Sequence, residues 1–235
     1  MPERVPPPMF TRDEIAAGEA LFARPWRFLK SVPDLQFLPA DDHREIAFAG
    51  RSNVGKSTLF NALVRQRGLA RASNTPGRTQ ELSFFEAPGL ALFLVDMPGY
   101  GFAEAPKAKV ETWTRLVRDY LRGRAALLRV LLLVDSRHGL KKADVEMMQL
   151  LDEAAVSYQA VLTKADKITP PRLTKVLAAT TEQLAAHPAA FARVLATSAQ
   201  DGRGLPDLRA ELAVLAAAHG IGPPASSDGD HIPRR

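Results

Sequence analysis

The eight residues from Gly50 to Ser57, which read GRSNVGKS, are the ones whose types and spacing point most directly to chemistry. They fit the pattern G-x-x-x-x-G-K-[ST] of the phosphate-binding P-loop, in which consecutive backbone N–H groups converge on phosphate oxygens. In such a loop Lys56 reaches the β- and γ-phosphates, and the Ser57 hydroxyl binds Mg²⁺. The stretch therefore predicts a nucleoside triphosphate site formed by all of its members: Gly50, Arg51, Ser52, Asn53, Val54, Gly55, Lys56 and Ser57.

The segments that flank this stretch are the ones that a P-loop needs. Residues 45–49 form a short apolar run typical of a strand, and Leu59, Phe60 and Leu63 then recur at helical spacing. A helix that begins near Gly55 adds its unpaired N–H groups and the positive end of its dipole to phosphate binding. A strand, a glycine-containing turn and a helix in this order favour a genuine P-loop over a coincidental turn.

A second stretch, Asp96-Met97-Pro98-Gly99, follows an apolar run at residues 90–95. An aspartate at the end of a buried strand is typical of the Walker B position, where it holds Mg²⁺ directly or through water. Gly99 is then expected to present its N–H to the γ-phosphate and to allow a peptide flip when that phosphate leaves. A plain turn is the alternative for this tetrapeptide when it is considered alone.

Thr163-Lys164-Ala165-Asp166 is the stretch that predicts which base is bound. A carboxylate at Asp166 accepts two hydrogen bonds along the edge of guanine that carries a ring N–H and an exocyclic amine, and adenine offers no such pair of donors there. The Lys164 stem is expected to lie along the base. The usual motif is N-K-x-D, and we expect the Thr163 hydroxyl to tie this loop to the P-loop in place of the asparagine. A weaker signal follows the last strand, where the Ala199 N–H is expected to bind the guanine carbonyl: Thr197, Ser198 and Ala199.

The chain has 235 residues, no cysteine, a net charge of +5 and a pI near 9.7. Disulfides and thiolate metal sites are thereby excluded. The absence of cysteine also leads us to expect a cytoplasmic protein. No signal peptide is apparent, and the richest apolar run, residues 130–134, is far too short to span a bilayer. The positive charge is compatible with a nucleic-acid partner without demanding one.

Strand-like and helix-like segments alternate along the chain, which predicts an α/β fold with a mostly parallel sheet and helices on both faces. The turn signal at Pro88-Gly89 predicts a hairpin of two strands, and hence one antiparallel edge strand. We expect an N-terminal extension at residues 1–44 with a short helix capped at Thr11, a nucleotide-binding domain at 45–218 and a disordered C-terminal tail at 219–235.

Four stretches together resemble the EngB (YihA/YsxC) GTPases of the TrmE–Era–EngA–YihA–Septin-like group. They are GRSNVGKS at 50–57, NTPGRTQ at 74–80, DMPGYGFA at 96–103 and TKAD at 163–166, and the resemblance extends over residues 45–218. It implies a Ras-like G domain that hydrolyses GTP with Mg²⁺, and the residue after Gly99, discussed below, leads us to expect a slow intrinsic rate. It also implies a role in assembling the large ribosomal subunit, and hence in cell division, with a ribosomal precursor as partner and no membrane association. A monomer is expected.

The same resemblance implies that Thr79 is the threonine of switch I, the segment around residues 74–80, and that it coordinates Mg²⁺ when GTP is bound. Thr75 is the other candidate for this role. It adds further members to the expected nucleotide site: Gly77, Arg78, Thr79, Gln80 and Glu81. The expected metal ligands are Ser57, Thr79 and Asp96.

The group that activates water is not evident from the sequence. Ras-like enzymes use a glutamine after the D-x-x-G glycine, but here that position is Tyr100, whose phenol has neither the reach nor the amide geometry. Asn53 stands where TrmE-type GTPases carry an asparagine that helps to bind K⁺. The alternative is that Asn53 merely caps the turn. The expected catalytic residues are Lys56, Thr79, Gly99 and Asn53.

Two groups of basic residues lie beside the segments expected to respond to the nucleotide, which are residues 74–80 (the first) and 96–103 (the second). They predict contact with RNA, the alternative being a solvated helix face. They are Arg65, Arg67, Arg71 and Arg78 around the first segment, and Lys107, Lys109, Arg115, Arg118, Arg122 and Arg124 after the second. Two other functions remain open. A P-loop kinase lacks an evident lid or acceptor site, and a nucleotide-gated binding module with negligible turnover differs from a GTPase switch only in rate.

Overall fold

The computed structural model describes residues 9–70, 81–101 and 107–222, with the backbone alone for 107–113. Its strands are β1 (Arg27–Val32), β2 (Arg44–Gly50), β3 (Leu82–Glu86), β4 (Leu92–Asp96), β5 (Leu127–Asp135), β6 (Tyr158–Thr163) and β7 (Leu195–Ala196). Its helices are α1 (Arg12–Phe22), α2 (Lys56–Leu63), α3 (Lys107–Gly123), α4 (Lys142–Glu153), α5 (Pro170–Leu184) and α6 (Leu205–Ala218). Short 3₁₀ turns occur at Leu35–Phe37 and Ala165–Lys167.

The strands form one seven-stranded sheet in the order β1-β3-β4-β2-β5-β6-β7. β3 pairs antiparallel with both β1 and β4, and the remaining pairs are parallel. The predicted fold class is therefore confirmed. One strand was not predicted: β1, from the N-terminal extension, covers the outer side of the hairpin and takes the edge position beside β3.

Helices cover both faces of the sheet. On one face α2 and α6 pack over Phe48, Leu94 and Leu131, and on the other α3 and α4 pack over Val95 and Leu132. This alternation follows from the strands being apolar on both sides, as parallel central strands are. Within the described part of the chain, no helix is long and apolar enough to cross a membrane.

The predicted N-terminal helix is α1, and its start has the predicted capping box. Thr11 Oγ1 accepts a 3.2 Å bond from the Glu14 N–H, while the Thr11 N–H donates a 2.7 Å bond to the Glu14 carboxylate. α1 lies so close to α6 that a Cβ at Gly18 would stand 2.5 Å from the Ala210 nitrogen. The N-terminal extension thus packs directly on the last helix.

Candidate nucleotide-binding site

The P-loop connects the end of β2 to the start of α2, at the edge of the sheet where parallel strands place their carboxyl ends. Gly55 precedes α2 with a φ of +101°, and Asn53 has a φ of +62°, so the loop turns twice through the left-handed region. Among the described residues, no protein acceptor takes the N–H groups of Asn53, Gly55 and Lys56. Free N–H groups that converge at a helix N-terminus are the donor set that phosphate needs.

Lys56 and Asp96 form an ion pair across the site, with side chains 13% and 15% exposed. Lys56 is the first residue of α2, and Asp96 is the last of β4, next to Phe48 of β2 in the parallel ladder. Ser57 follows in the first turn of α2. An ammonium and a serine in the first turn of α2, with a carboxylate at the end of β4, fit a Mg²⁺–phosphate pair, since the cation prefers oxygen ligands and the phosphates take the ammonium.

The DMPG segment runs from β4 back against the P-loop. Met97 donates its N–H to the Phe48 carbonyl at 3.0 Å, and its side chain is buried in the core, as is Pro98. Gly99 lies beside Ser52, because a Cβ added at Gly99 would be 3.2 Å from Ser52 Oγ. Within the described part of the chain the Gly99 N–H has no acceptor, so it is the member of the segment able to donate to a ligand.

The base-reading loop is tied to the P-loop through its first two residues. Thr163 Oγ1 donates a 2.6 Å bond to the Val54 carbonyl, as expected for a hydroxyl that replaces the usual asparagine. Lys164 donates from Nζ to the Asn53 carbonyl at 2.6 Å, and its Cε stands 3.4 Å from where a Gly55 Cβ would be. The lysine stem therefore crosses the P-loop glycine, and Ala165 fixes the loop by an N–H bond of 3.0 Å to the Thr197 carbonyl.

Asp166 is oriented by Ser198. Ser198 Oγ donates a 2.9 Å bond to Asp166 Oδ1 and accepts from the N–H groups of Gln200 and Asp201 at 3.2 and 3.3 Å. Burial raises the pKa of Asp166, but the hydrogen bonds from Ser198 and Lys167 outweigh it, and the net effect lowers the pKa. Asp166 is therefore an ionised acceptor at neutral pH.

The tripeptide after β7 lies against the same loop. Thr197 is buried and bonds Leu162 through both its N–H and its hydroxyl, at 2.7 and 3.0 Å. The N–H of Ala199 meets no acceptor among the described residues. The structure thus brings the P-loop, Asp96, Gly99, the TKAD stretch and this tripeptide to one edge of the sheet.

Asp135 is a member of the site that sequence reasoning missed. It ends β5, accepts 2.9 Å and 2.7 Å bonds from Lys164 Nζ and Arg137 Nη2, and is 4% exposed. Burial raises the pKa of Asp135, but the hydrogen bonds of Arg137 and Lys164 hold it well below its usual range. A signal was present, because β4 and β5 both end in the letters LVD.

Arg51 and Tyr100 meet at a carboxylate that the sequence did not single out. Asp144 on α4 is fully buried and accepts from Arg51 Nε, the Tyr100 hydroxyl and the Lys141 N–H, each at 2.9 Å. The Arg51 side chain therefore lies against α4, although its backbone belongs to the P-loop. Tyr100 is 3% exposed, which removes its phenol from contact with solvent.

Several predicted residues fall outside the described part of the chain. These are Arg71, Thr75, Gly77, Arg78, Thr79 and Gln80. Glu81 is described, half-buried, directly before β3. The predicted roles of this segment, including Mg²⁺ coordination by Thr79, stay predictions.

The basic residues predicted to contact RNA divide into two kinds. The prediction that Arg124 belongs to the exposed basic surface is wrong. Its side chain forms a buried ion pair with Glu45 at 2.6 Å and donates a hydrogen bond to the Pro39 carbonyl at 3.0 Å. Arg65 pairs with Glu19, and Arg122 lies 3.5 Å from Glu153. The exposed members without a carboxylate partner among the described residues are Arg67, Arg115 and Arg118.

A Ras-like sheet with a P-loop, a Walker B-type aspartate and a guanine-reading carboxylate at one edge defines a P-loop GTPase. A family model described as "50S ribosome-binding GTPase" matches residues 45–164. The chain is 59% identical over 203 residues to the "Probable GTP-binding protein EngB" of Chelativorans sp. (strain BNC1), covering 83% of this chain and 90% of the relative. It is 57% identical over 201 residues to the protein of the same name from Rhizobium etli (strain CIAT 652), covering 82% and 93%.

A solved structure, "Crystal structure of a probable GTP-binding protein engB", superimposes with a TM-score of 0.59 at 26% identity, covering 74% of this chain and 99% of that one. The chain belongs to the EngB family of GTP-binding proteins. Its site therefore binds GTP and GDP, typically with Mg²⁺, and the family is one of GTPases.

Proposed function

We propose that this chain is a GTP-hydrolysing switch whose nucleotide state controls its binding to a precursor of the large ribosomal subunit. The observation that carries the proposal is the ionised carboxylate of Asp166, held by Ser198 on the same edge of the sheet as the P-loop. The description of the matching family model, "50S ribosome-binding GTPase", supports the choice of partner. The proposal includes a cytoplasmic, monomeric protein with a role in cell division.

In this proposal the positively charged groups of the site bind the phosphates and the oxygen ligands bind the cation. Lys56 and the free N–H groups of the P-loop neutralise and orient the phosphates, and Asp96 and Ser57 hold the cation. Bound Mg²⁺ supplies positive charge that stabilises the charge developing on phosphate oxygens during hydrolysis. The ion pair between Lys56 and Asp96 is expected to weaken when nucleotide binds, because phosphate then attracts the ammonium and Mg²⁺ attracts the carboxylate.

The intrinsic rate is proposed to be slow. The residue after Gly99 is Tyr100, whose hydroxyl is engaged by Asp144 inside the core. Tyr100 therefore does not supply the group with which a Ras-like glutamine orients water. Faster turnover therefore requires a positive charge or a polar group that a partner or a bound cation brings.

The exposed face of α3 is proposed as the contact with ribosomal RNA. Arg115 and Arg118 lie one turn apart, both exposed, on the helix that follows the DMPG segment. A change in that segment upon loss of the γ-phosphate would move the start of α3. Arginines beside a nucleotide-dependent segment couple the nucleotide state to binding of the phosphate backbone.

Co-sedimentation with ribosomal subunits in GTP, GDP and a non-hydrolysable GTP analogue tests this proposal. Binding of the large-subunit precursor is expected with the analogue and not with GDP, and it is expected to weaken as salt is raised. The double substitution Arg115→Glu and Arg118→Glu is expected to weaken binding at least tenfold. The matched control, Arg12→Glu with Lys175→Glu, reverses two exposed charges on other helices and is expected to bind normally. Equal loss in both variants would contradict the α3 contact.

A nucleotide-gated binding module with negligible turnover is the second candidate, favoured by the burial of Tyr100. Single-turnover hydrolysis with and without ribosomal particles separates the two. A rate that particles raise at least tenfold supports the switch. A rate that stays negligible in both cases, with nucleotide-dependent binding intact, supports the module.

A further inference from the structure

The hydroxyl of Ser52 is buried and has no hydrogen-bond partner among the described residues. Its own backbone is fixed, because the Ser52 N–H donates a 3.1 Å bond to the Tyr100 carbonyl and Arg51 and Tyr100 form a parallel bridge. Buried hydroxyls are almost always hydrogen-bonded, and leaving one unpaired costs stability. Because the Ser52 hydroxyl is unpaired and lies in the nucleotide site, we expect it to form its hydrogen bond with the ligand.

The surroundings of this hydroxyl show which part of the ligand it meets. It lies beside Gly99, with Ser52 Oγ 3.2 Å and the Gly50 carbonyl 3.6 Å from where a Gly99 Cβ would be. The Gly99 N–H, which also lacks an acceptor in the described part of the chain, is the group assigned above to the terminal phosphate. Two donors that have no acceptor among the described residues, one from the P-loop and one from the DMPG segment, thus lie next to each other.

We propose that the Ser52 hydroxyl donates a hydrogen bond to the γ-phosphate and so contributes to the discrimination of GTP from GDP. The inference rests on the guanine-nucleotide function proposed above and adds a second side-chain donor for the γ-phosphate to Lys56. A hydroxyl that donates to an anionic oxygen makes a charge-assisted bond, which is stronger than a bond between neutral groups. GDP has no γ-phosphate, so this bond contributes to the affinity for GTP alone.

Affinities of the Ser52→Ala variant for GDP and for a non-hydrolysable GTP analogue test the proposal, measured by calorimetry at fixed Mg²⁺ and ionic strength. The affinity for the analogue is expected to fall by about tenfold or more, as loss of a charge-assisted bond implies, while that for GDP stays within about twofold. Thr58→Ala is the matched control, because Thr58 is an exposed hydroxyl residue of α2, six positions along the chain. It is expected to change neither affinity.

Thermal unfolding without nucleotide supplies a second readout. Removing an unpaired buried hydroxyl is expected to leave the melting temperature of Ser52→Ala unchanged or slightly raised, which separates the ligand role from a structural one. Two results would overturn the assignment: unchanged affinity for both nucleotides, or an equal loss for both. If the unsubstituted protein bound neither GDP nor the analogue, the guanine-nucleotide function itself would fail instead.

Discussion

The Tyr100 hydroxyl donates a 2.9 Å hydrogen bond to Oδ1 of Asp144, and this bond fixes the residue that follows Gly99 against α4. The other carboxylate oxygen accepts 2.9 Å bonds from Arg51 Nε and from the Lys141 N–H. One buried carboxylate therefore joins the P-loop, the DMPGY segment and α4. Burial, and then the negative charge of Asp144, raise the pKa of Tyr100 well above its ordinary value, so the phenol stays neutral and remains a donor.

The first prediction is that Tyr100 acts in packing and not in hydrolysis. Tyr100→Phe removes one of three bonds to Asp144 and is expected to lower the free energy of unfolding by about 1–3 kcal/mol. The rate of GTP hydrolysis per bound nucleotide is expected to stay within about twofold in single-turnover assays. Tyr158→Phe is the matched control: the Tyr158 hydroxyl is buried without a partner among the described residues, so its removal should cost almost nothing. A tenfold slower rate in Tyr100→Phe with normal stability would show a catalytic phenol.

The second prediction concerns base choice at Asp166. Asp166→Asn replaces a carboxylate acceptor by a donor, which repels the exocyclic amine of guanine and suits the carbonyl of xanthine. Binding of fluorescent GDP is expected to weaken by at least a hundredfold, since buried polar groups are left unpaired, while binding of XDP strengthens. Asp201→Asn makes the same chemical change in the neighbouring loop, where the carboxylate pairs with Arg203, and should keep the preference for GDP. Retained preference for GDP in Asp166→Asn would refute the assignment.

The third prediction is a pH-dependent stability contribution from Asp135. Its pKa is lowered in the folded protein, so it stabilises the fold above the ordinary value of 3.8 and loses that contribution as pH falls below it. Asp135→Asn is expected to reduce the free energy of unfolding by about 1–3 kcal/mol at neutral pH. In urea denaturation the difference from the parent should be constant between pH 5 and 8 and shrink below about pH 4. A difference that did not change with pH would mean that the amide disturbs packing instead.

Local motifs made much of this site predictable. The P-loop, Asp96 and the TKAD stretch each lie within a few residues of the strand that positions them, so pattern and chemistry coincide in the sequence. Thr163 is the clearest case, because its predicted bond to the P-loop is the 2.6 Å contact with the Val54 carbonyl.

Contacts between distant parts of the chain were not predictable in the same way. Asp144 reads as an ordinary helix residue until the fold brings it to Arg51 and Tyr100. The same holds for Arg209, which donates to the carbonyls of Ala62 and Leu63 and to Glu19, so that α6 joins the end of α2 to α1. β1 escaped prediction because its partner β3 lies fifty or more positions away in the chain, and its exposed outer residues show no alternation.

The last prediction is that K⁺ accelerates hydrolysis through Asn53. Asn53 is exposed and has a φ of +62°. Its backbone carbonyl accepts a bond from Lys164 Nζ, and no hydrogen bond of its side-chain amide is found among the described residues, so the alternative of a turn cap gains no support. An amide oxygen free at the rim of the P-loop suits a hard monovalent cation, which would bring positive charge to the phosphates where other GTPases use an arginine.

Hydrolysis is therefore expected to be at least several-fold faster in K⁺ than in Na⁺ at equal ionic strength. Both Asn53→Gly and Asn53→Ala should reduce this difference. Asn53→Gly is the cleaner test of the two. Alanine at a positive φ adds about 1 kcal/mol of backbone strain, whereas glycine removes the side-chain amide without adding strain. Asn53→Asp, which keeps an oxygen at the same place, should retain the response to K⁺. Equal rates in the two salts, measured with and without ribosomal particles, would show that K⁺ does not accelerate hydrolysis. A group supplied by the partner would then be the better explanation of any acceleration.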